Sequence, residues 1–236
     1  MAEKDKKKTK ISEPGCILAH QLKNPISVLN GYLEMLTSEE LGELNDKQKE
    51  YLADAMENLR TMSRTVNDIL NVSKIEEGHY ELDPKEVDLT EITQEVIDEL
   101  LPWIKASNVE IGFRNFDEKF KVVVDPVKIR YVIENIVSNA VRYKGPGVGH
   151  IEISVEDKGK EVIFSCKDKG VGIPKKDFDK VFSRYYRSEE AVNLHPVGSG
   201  LGLYISKAIV ELSDGKIWFE ENKEGGMTFY FSLPAA

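Results

Sequence analysis

His20, Gln21 and Asn24 fall within about one helical turn of each other, and an imidazole near neutral pH is both a nucleophile and a proton carrier. Apolar residues at Leu22, Ile26, Leu29, Leu33 and Leu36 alternate steps of four and three, the seam of a helix packed on other helices. With that seam turned inward, His20 and Asn24 lie on the outer face with Gln21 beside them, and the imidazole is expected to point at solvent. A histidine on a polar helix face is most often an ordinary surface group. Pro25 adds weight to the chemical reading, because proline inside a helix removes a hydrogen bond and crowds the preceding turn at a cost of about 3 kcal/mol. Such kinks also occur in inert helices, so the rest of the chain must decide.

A second group lies on a segment of helical pattern, where Asn135 and Asn139 are four residues apart and Arg142 and Tyr143 extend the same face. Asparagine is a poor helix-interior residue. Either these two are solvated or capping positions, or their carboxamide oxygens serve a hard cation such as Mg²⁺ among phosphate oxygens, with Arg142 adding charge and Tyr143 an aromatic wall. A third group, Asp168, Gly170, Gly172 and Ile173, follows a strand pattern. Aspartate and glycine make turns everywhere, but here Asp168 could also accept from the exocyclic amine of adenine while the glycines let backbone approach the base. The fourth, Gly198, Ser199, Gly200, Leu201, Gly202 and Leu203, opens a helix, where N–H groups and the dipole favour phosphate. It is neither a P-loop, lacking Gly-Lys-Ser/Thr, nor a Rossmann turn. Between the last two groups, Phe182 through Tyr186 and Arg187 to His195 and Pro196 reads as a mobile lid, with Arg187 the candidate γ-phosphate contact and Tyr186 taken with it into the nucleotide site.

The elements that would hold these groups can be read from periodicity. A helix from about Pro14 to Thr37 is followed by one capped by Asn45 or Asp46, with a seam at Leu52, Ala55, Leu59, Met62, Val66 and Ile69 and a stop at Glu77 and Gly78. This all-α helical hairpin, residues 11–78, is expected to double into a four-helix bundle with a second copy, because two helices cover only one face of each other. Residues 79–88 read as a linker containing Pro84. Beyond it, 89–234 alternates helical and strand patterns: helix to Lys105, strands at 109–114 and 120–124, helix 126–143, strands at 151–156 and 162–166, a loop region, helix 200–212, and a final hairpin at 216–220 and 227–231. Helices with a mixed or antiparallel sheet imply an α/β two-layer sandwich.

Composition sets the boundaries. The chain has 236 residues, 41% of them hydrophobic, and a formal net charge of −9, enough for two domains with cores and unsuited to a general grip on nucleic acid. The basic run from Lys4 to Lys10 reads as a solvated leader, a membrane-proximal stub or an artificial end. Cys16 and Cys166 fit neither a disulfide framework nor a metal site, and Cys166 alternates with Val162 and Phe164 as a core residue does, which suggests a reducing, cytoplasmic setting. No apolar stretch approaches the roughly 20 residues that span a bilayer, so no membrane contact is expected of this chain, though a membrane-anchored parent is compatible with it.

In this order, the groups resemble the two-component sensor histidine kinases from about Ser12 to Pro234. His20 and Pro25 match the family's phosphoacceptor motif; Asn135, Asn139, Arg142 and Tyr143 its N box; Asp168, Gly170 and Gly172 its first glycine box; Phe182 its F box; and Gly198 to Leu203 its second glycine box. The resemblance implies a dimerising phosphotransfer hairpin joined to an ATP-binding domain of the Bergerat type. It implies that His20 takes the γ-phosphoryl of ATP, with Mg²⁺, and yields it to an aspartate of a response regulator. It assigns Asn24 to dephosphorylation of that regulator by orienting a water. Gln21 departs from the family's usual Glu or Asp, and Lys144 and Lys169 stand where Ser or Thr and Asn are common. An amide oxygen can accept an imidazole N–H and set the tautomer but cannot take up a proton. Slow autophosphorylation is therefore expected, quickened in Gln21→Glu; the alternative is a nucleotide-binding scaffold or phosphatase-only module with impaired kinase activity.

Overall fold

Each helix of the first third has an apolar seam and a chemically defined end. The structure, a computed structural model, describes residues 12–38, 41–116 and 118–236, with side chains from residue 21 onward. The basic run, Cys16 and the expected orientation of the His20 ring lie outside the described residues and side chains. Helix α1 spans Ser12–Thr37 with Pro25 inside it, and α2 spans Asp46–Glu77. The Asn45 side chain accepts from the Gln48 N–H at 2.9 Å while Gln48 Oε1 accepts from the Asn45 N–H at 2.9 Å, a reciprocal cap that starts α2. Gly78, in the left-handed conformation, stops it.

Ile26, Leu59 and Val66 are buried together, with Leu33, Ile69 and Leu70 packed around them. The remaining seam is not covered within the hairpin: Leu22 is 39% exposed, Leu29 50%, Leu36 39% and Met62 52%. One helix shields only one side of its neighbour, so a seam this wide has apolar area left over.

The chain divides into two compact units between Tyr80 and Glu81. The second unit contains strands β1 (Lys85–Asp88), β2 (Val109–Arg114), β3 (Lys121–Val124), β4 (Gly149–Asp157), β5 (Glu161–Asp168), β6 (Lys216–Glu221) and β7 (Met227–Pro234). Its helices are α3 (Leu89–Ala106), α4 (Pro126–Arg142), α5 (Glu189–Leu194) and α6 (Gly202–Leu212). Five strands form a mixed sheet in the order β2-β4-β5-β7-β6, with only β2 and β4 parallel. Helices α3, α4 and α6 pack on one face of it, making the expected two-layer sandwich. Alternation along β5 puts Val162, Phe164 and Cys166 into that interface, and burial pushes the Cys166 thiol well up.

Three expectations need correction. The stretch read as linker ends in β1, which pairs antiparallel with β3; four residues with one strongly apolar side chain are too few to show alternation. The loop region contains a 3-10 turn at Lys175–Lys180 and the short helix α5, whose cap is the Ser188 hydroxyl accepting from the Ala191 N–H at 3.1 Å. Elements this short carry no readable period. Helix α6 begins at Gly202 rather than Gly200, because Gly200 has φ +67° and cannot continue a right-handed helix.

The helix starts adjoining the site are well made. Asp125 Oδ1 accepts from the N–H groups of Val127 at 2.9 Å and Lys128 at 3.1 Å, capping α4. Its Oδ2 accepts from the Asp83 N–H at 3.0 Å, which ties the segment before β1 to that cap.

Candidate functional site

The second, third and fourth residue groups meet where α4, the C-terminal end of β5 and the start of α6 come together. Asn135 is buried in α4, its Nδ2 donating to Ser206 Oγ of α6 at 3.0 Å. The first turn of α6 presses on the same carboxamide: a Cβ at Gly202 would lie 2.3 Å from Asn135 Oδ1. That close approach explains a glycine as the first residue of α6. Asn139, one turn further along α4, is half-buried, and its carboxamide makes no hydrogen bond among the described residues. The two asparagines thus differ: the Nδ2 of Asn135 is engaged by Ser206, which leaves its oxygen without a hydrogen bond among the described residues, while neither end of the Asn139 carboxamide is paired there.

At the end of α4, the Tyr143 carbonyl accepts from the Val171 N–H at 3.0 Å, and Lys144 forms an isolated bridge with Gly170. The glycine segment after β5 is thereby laid against the helix end. Arg142 stacks its guanidinium 5.9 Å from the Trp103 ring of α3. Lys169 pairs with Glu224 at 3.6 Å, and the Lys144 ammonium donates to the Gly147 carbonyl at 2.8 Å. Ile173 and Gly172 are half-buried in the turn that follows.

Asp168 is the centre of this arrangement and is only 8% exposed. Its Oδ1 accepts from the Gly170 N–H at 2.7 Å and from the Met227 N–H at 3.2 Å. Among the described residues no donor reaches Oδ2. Burial raises the carboxyl pKa above its ordinary value, partly offset by those two N–H groups. The result is a fixed carboxylate with one oxygen satisfied and one left to accept from a ligand.

The lid segment is ordered by its own arginine. Arg187 Nη1 donates to the carbonyls of Pro196 at 3.0 Å and Gly198 at 3.4 Å, while Nη2 donates to those of Ala191 at 2.9 Å and of His195. The residue expected to meet a terminal phosphate is engaged here in closing the segment between α5 and the glycine run. Tyr186, also expected in the nucleotide site, donates its hydroxyl to Asp177; burial first, then that bond and the carboxylates of Asp177, Glu190 and Glu189 push its pKa up to about 12. Phe182 packs on Phe219 of β6 at 5.8 Å, and His195 meets Tyr143 edge to face at 6.1 Å. In the second glycine run, Gly200 allows close approach to the main chain of Tyr185 and Tyr186, while Ser199 Oγ accepts from the Leu201 N–H at 3.3 Å. Leu201 is buried and Leu203 half-buried.

In the hairpin, Gln21 and Asn24 are both exposed on α1, the helix that also carries His20.

Residues 17–78 match the His Kinase A (phospho-acceptor) domain, and residues 124–236 match the histidine kinase-, DNA gyrase B-, and HSP90-like ATPase family. The chain belongs to the sensor histidine kinases. It is 35% identical over 220 residues to the sensor histidine kinase WalK of Bacillus subtilis (strain 168), covering 92% of this chain and 35% of that protein. This kinase core therefore spans about a third of the length of that curated relative. Among solved structures it resembles the nucleotide-free catalytic domain of histidine kinase ThkA, at 31% identity and a TM-score of 0.57, over 64% of this chain and 97% of that one. It also resembles ThkA in complex with the response regulator protein TrrA, at 29% identity and a TM-score of 0.63, over 93% of this chain and 60% of that one. No helix among the described residues of the kinase core is long and apolar enough to cross a membrane.

Residues that sequence reasoning missed are Asn222 and Met227, which reach Asp168 from the β6–β7 turn, and Ser206, which holds Asn135. Ser206 carried a weak signal, one polar residue on the apolar face of α6. The turn carried none, since its Asn-Lys-Glu-Gly-Gly composition describes any hairpin.

Proposed function

We propose that the chain is the catalytic core of an ATP-dependent protein-histidine kinase that autophosphorylates on His20 and transfers the phosphoryl group to an aspartate of a response regulator. In this reading residues 11–78 are the dimerising phosphoacceptor hairpin, the stretch from residue 79 to the start of β1 joins it to the second part, and that second part, which includes β1 and runs to residue 234, binds the nucleotide. The observation that carries it is the Asp168 carboxylate, with Oδ1 held by two N–H groups and Oδ2 left for the exocyclic amine of adenine. An acceptor buried to this degree rejects a base that offers it another acceptor. Tyr143 would wall the base, and the run from Gly198 to Leu203 would bring N–H groups to the phosphates.

The unpaired carboxamide of half-buried Asn139 fits a Mg²⁺ that keeps phosphate and water oxygens for its other positions, whereas Asn135 has its Nδ2 on Ser206 and its oxygen against Gly202. When bound, the ion would neutralise phosphate charge; alignment of the nucleotide falls to the residues above. Autophosphorylation joins a His20 ring nitrogen to the γ-phosphorus as the bond to the bridging oxygen breaks and ADP leaves, the ring's proton passing to solvent. Gln21 can accept the other ring N–H and hold the tautomer without removing a proton. Asn24, exposed on the same helix, would orient a water for dephosphorylation of the regulator.

The uncovered seam of α1 and α2 supports a homodimer in which two hairpins form a four-helix bundle. The receiver domain of a response regulator is the protein partner by analogy with ThkA. ATP and such a regulator are drawn from the cytoplasm, which is where the proposal puts the chain. Incubation with γ-labelled ATP tests it: the protein should acquire acid-labile, base-stable label that is absent from His20→Ala. Nucleotide binding without any label in the unsubstituted protein would overturn the kinase reading in favour of a scaffold.

A further inference from the structure

The carboxylate assigned to the base is held from the far side by a turn that none of the glycine and asparagine motifs includes. Asp168 is the last residue of β5, and the β5–β7 ladder ends one residue earlier at the Lys167–Thr228 pair. Its main-chain carbonyl is met by a side chain instead, Asn222 Nδ2 donating at 2.8 Å. The same carboxamide is fixed at its other end, where Thr228 Oγ1 donates to Asn222 Oδ1 at 2.6 Å, and Thr228 is itself buried. The Asn222 backbone closes the turn, its N–H donating to the Gly226 carbonyl at 3.1 Å and its carbonyl accepting from the Gly225 N–H at 3.1 Å. Gly226, at φ +81°, lets the turn come down on Asp168: a Cβ there would lie 2.3 Å from the Asp168 carbonyl oxygen and 2.8 Å from Oδ1. The next residue, Met227, supplies one of the two N–H groups on Oδ1.

All four polar groups of Asn222 are therefore committed to joining one turn to one residue. A side-chain amide could cap a strand end for stability alone. Here, however, the bond is to the very residue whose carboxylate is presented, and the turn it closes supplies a donor to that carboxylate. A main chain displaced at Asp168 carries Oδ2 with it. We propose that Asn222 is a positioning residue for nucleobase selection, holding the Asp168 main chain and the Met227 N–H in register so that Oδ2 stays where an exocyclic amine must meet it. The inference rests on the reading of Asp168 as the base acceptor and extends it to a residue outside the motifs.

Asn222→Asp isolates the bond: it is nearly isosteric and keeps an oxygen for the Thr228 hydroxyl, but it replaces the donor to the Asp168 carbonyl with an acceptor. Equilibrium dissociation constants for ATP and GTP are measured on the full chain for the unsubstituted protein, Asn222→Asp, Asn222→Ala and Asp168→Ala, with thermal melts of each. In both Asn222 variants the ATP constant should rise about five- to tenfold, as for loss of one hydrogen bond, with the GTP constant unmoved, so that the ATP-over-GTP preference shrinks. A purely structural cap would lower the melting temperature and weaken both nucleotides equally, and that outcome overturns the proposal. So does an unchanged preference in Asn222→Asp while Asp168→Ala has lost it. If Asp168→Ala itself keeps the preference, the underlying reading of Asp168 fails, and the role of Asn222 with it.

Discussion

Asp168→Asn changes one atom of the site and gives the sharpest test of how it reads a base. Asparagine can keep its Oδ1 on the N–H groups of Gly170 and Met227, which places its Nδ2 where Oδ2 stood. There it faces the adenine amine donor to donor. The carboxyl is 8% exposed, so the lost bond is poorly replaced by water and weakly screened. A hydrogen bond to a charged acceptor contributes about 1.5–3 kcal/mol, which corresponds to an ATP dissociation constant raised about 10- to 150-fold. A 6-oxopurine presents an acceptor at the same position, so inosine triphosphate should bind the variant at least as well as it binds the unsubstituted protein. Stability should not suffer, because burial already disfavours the charge that the substitution removes. Calorimetric titration with the two nucleotides, with a thermal melt of each protein, makes the measurement. Equal losses for ATP and inosine triphosphate, or an ATP constant within a factor of about two of the original, would refute the assignment of Oδ2.

Three further outcomes follow from the same geometry. Because the folded pKa of Asp168 is raised above its unfolded value, the native state holds that proton more tightly; lowering the pH through the raised pKa should increase this group's contribution to stability while ATP affinity falls, and Asp168→Asn should flatten both profiles in melts and titrations across the acidic range. Gly202→Ala places a methyl 2.3 Å from Asn135 Oδ1, and chemical denaturation should show a loss of about 1–3 kcal/mol; an unaltered midpoint would mean that the α4–α6 contact yields freely. Arg187→Lys replaces a planar fork on four carbonyls with a single ammonium, so amide exchange across 191–198 should accelerate, and exchange as slow as in the parent protein would contradict the clamp.

Much of the fold was legible because its signals are local and periodic. The ends of α2 follow from Asn45, Gln48 and Gly78, that of α4 from Asp125 and Pro126, and the inward face of β5 from Val162, Phe164 and Cys166. Strand β1 was missed because a four-residue strand shows itself only through its partner, and α5 because a helix of six residues has no period to display. The site divides in the same way. Which residues belong to it could be read from their types and order, since asparagines in a helix interior and glycines beside an aspartate are locally expensive or unusual choices.

How each of those residues is paired was decided by contacts between distant parts of the chain. Asn135 and Asn139 are equivalent in sequence, yet the Nδ2 of one is tied to Ser206 with Gly202 lying close to its oxygen, while the other keeps its carboxamide unpaired among the described residues. Arg187, read from its position as a phosphate contact, is held here by the carbonyls of a following turn. Asn222 looks like any hairpin residue until its amide is seen on the carbonyl of Asp168. Spacing along a chain determines which face a side chain occupies, because helix and strand repeats are properties of the backbone. It does not determine which hydrogen-bonding group arrives from elsewhere to use that side chain up, and in a buried site that arrival decides whether a polar atom holds the fold or remains for a ligand.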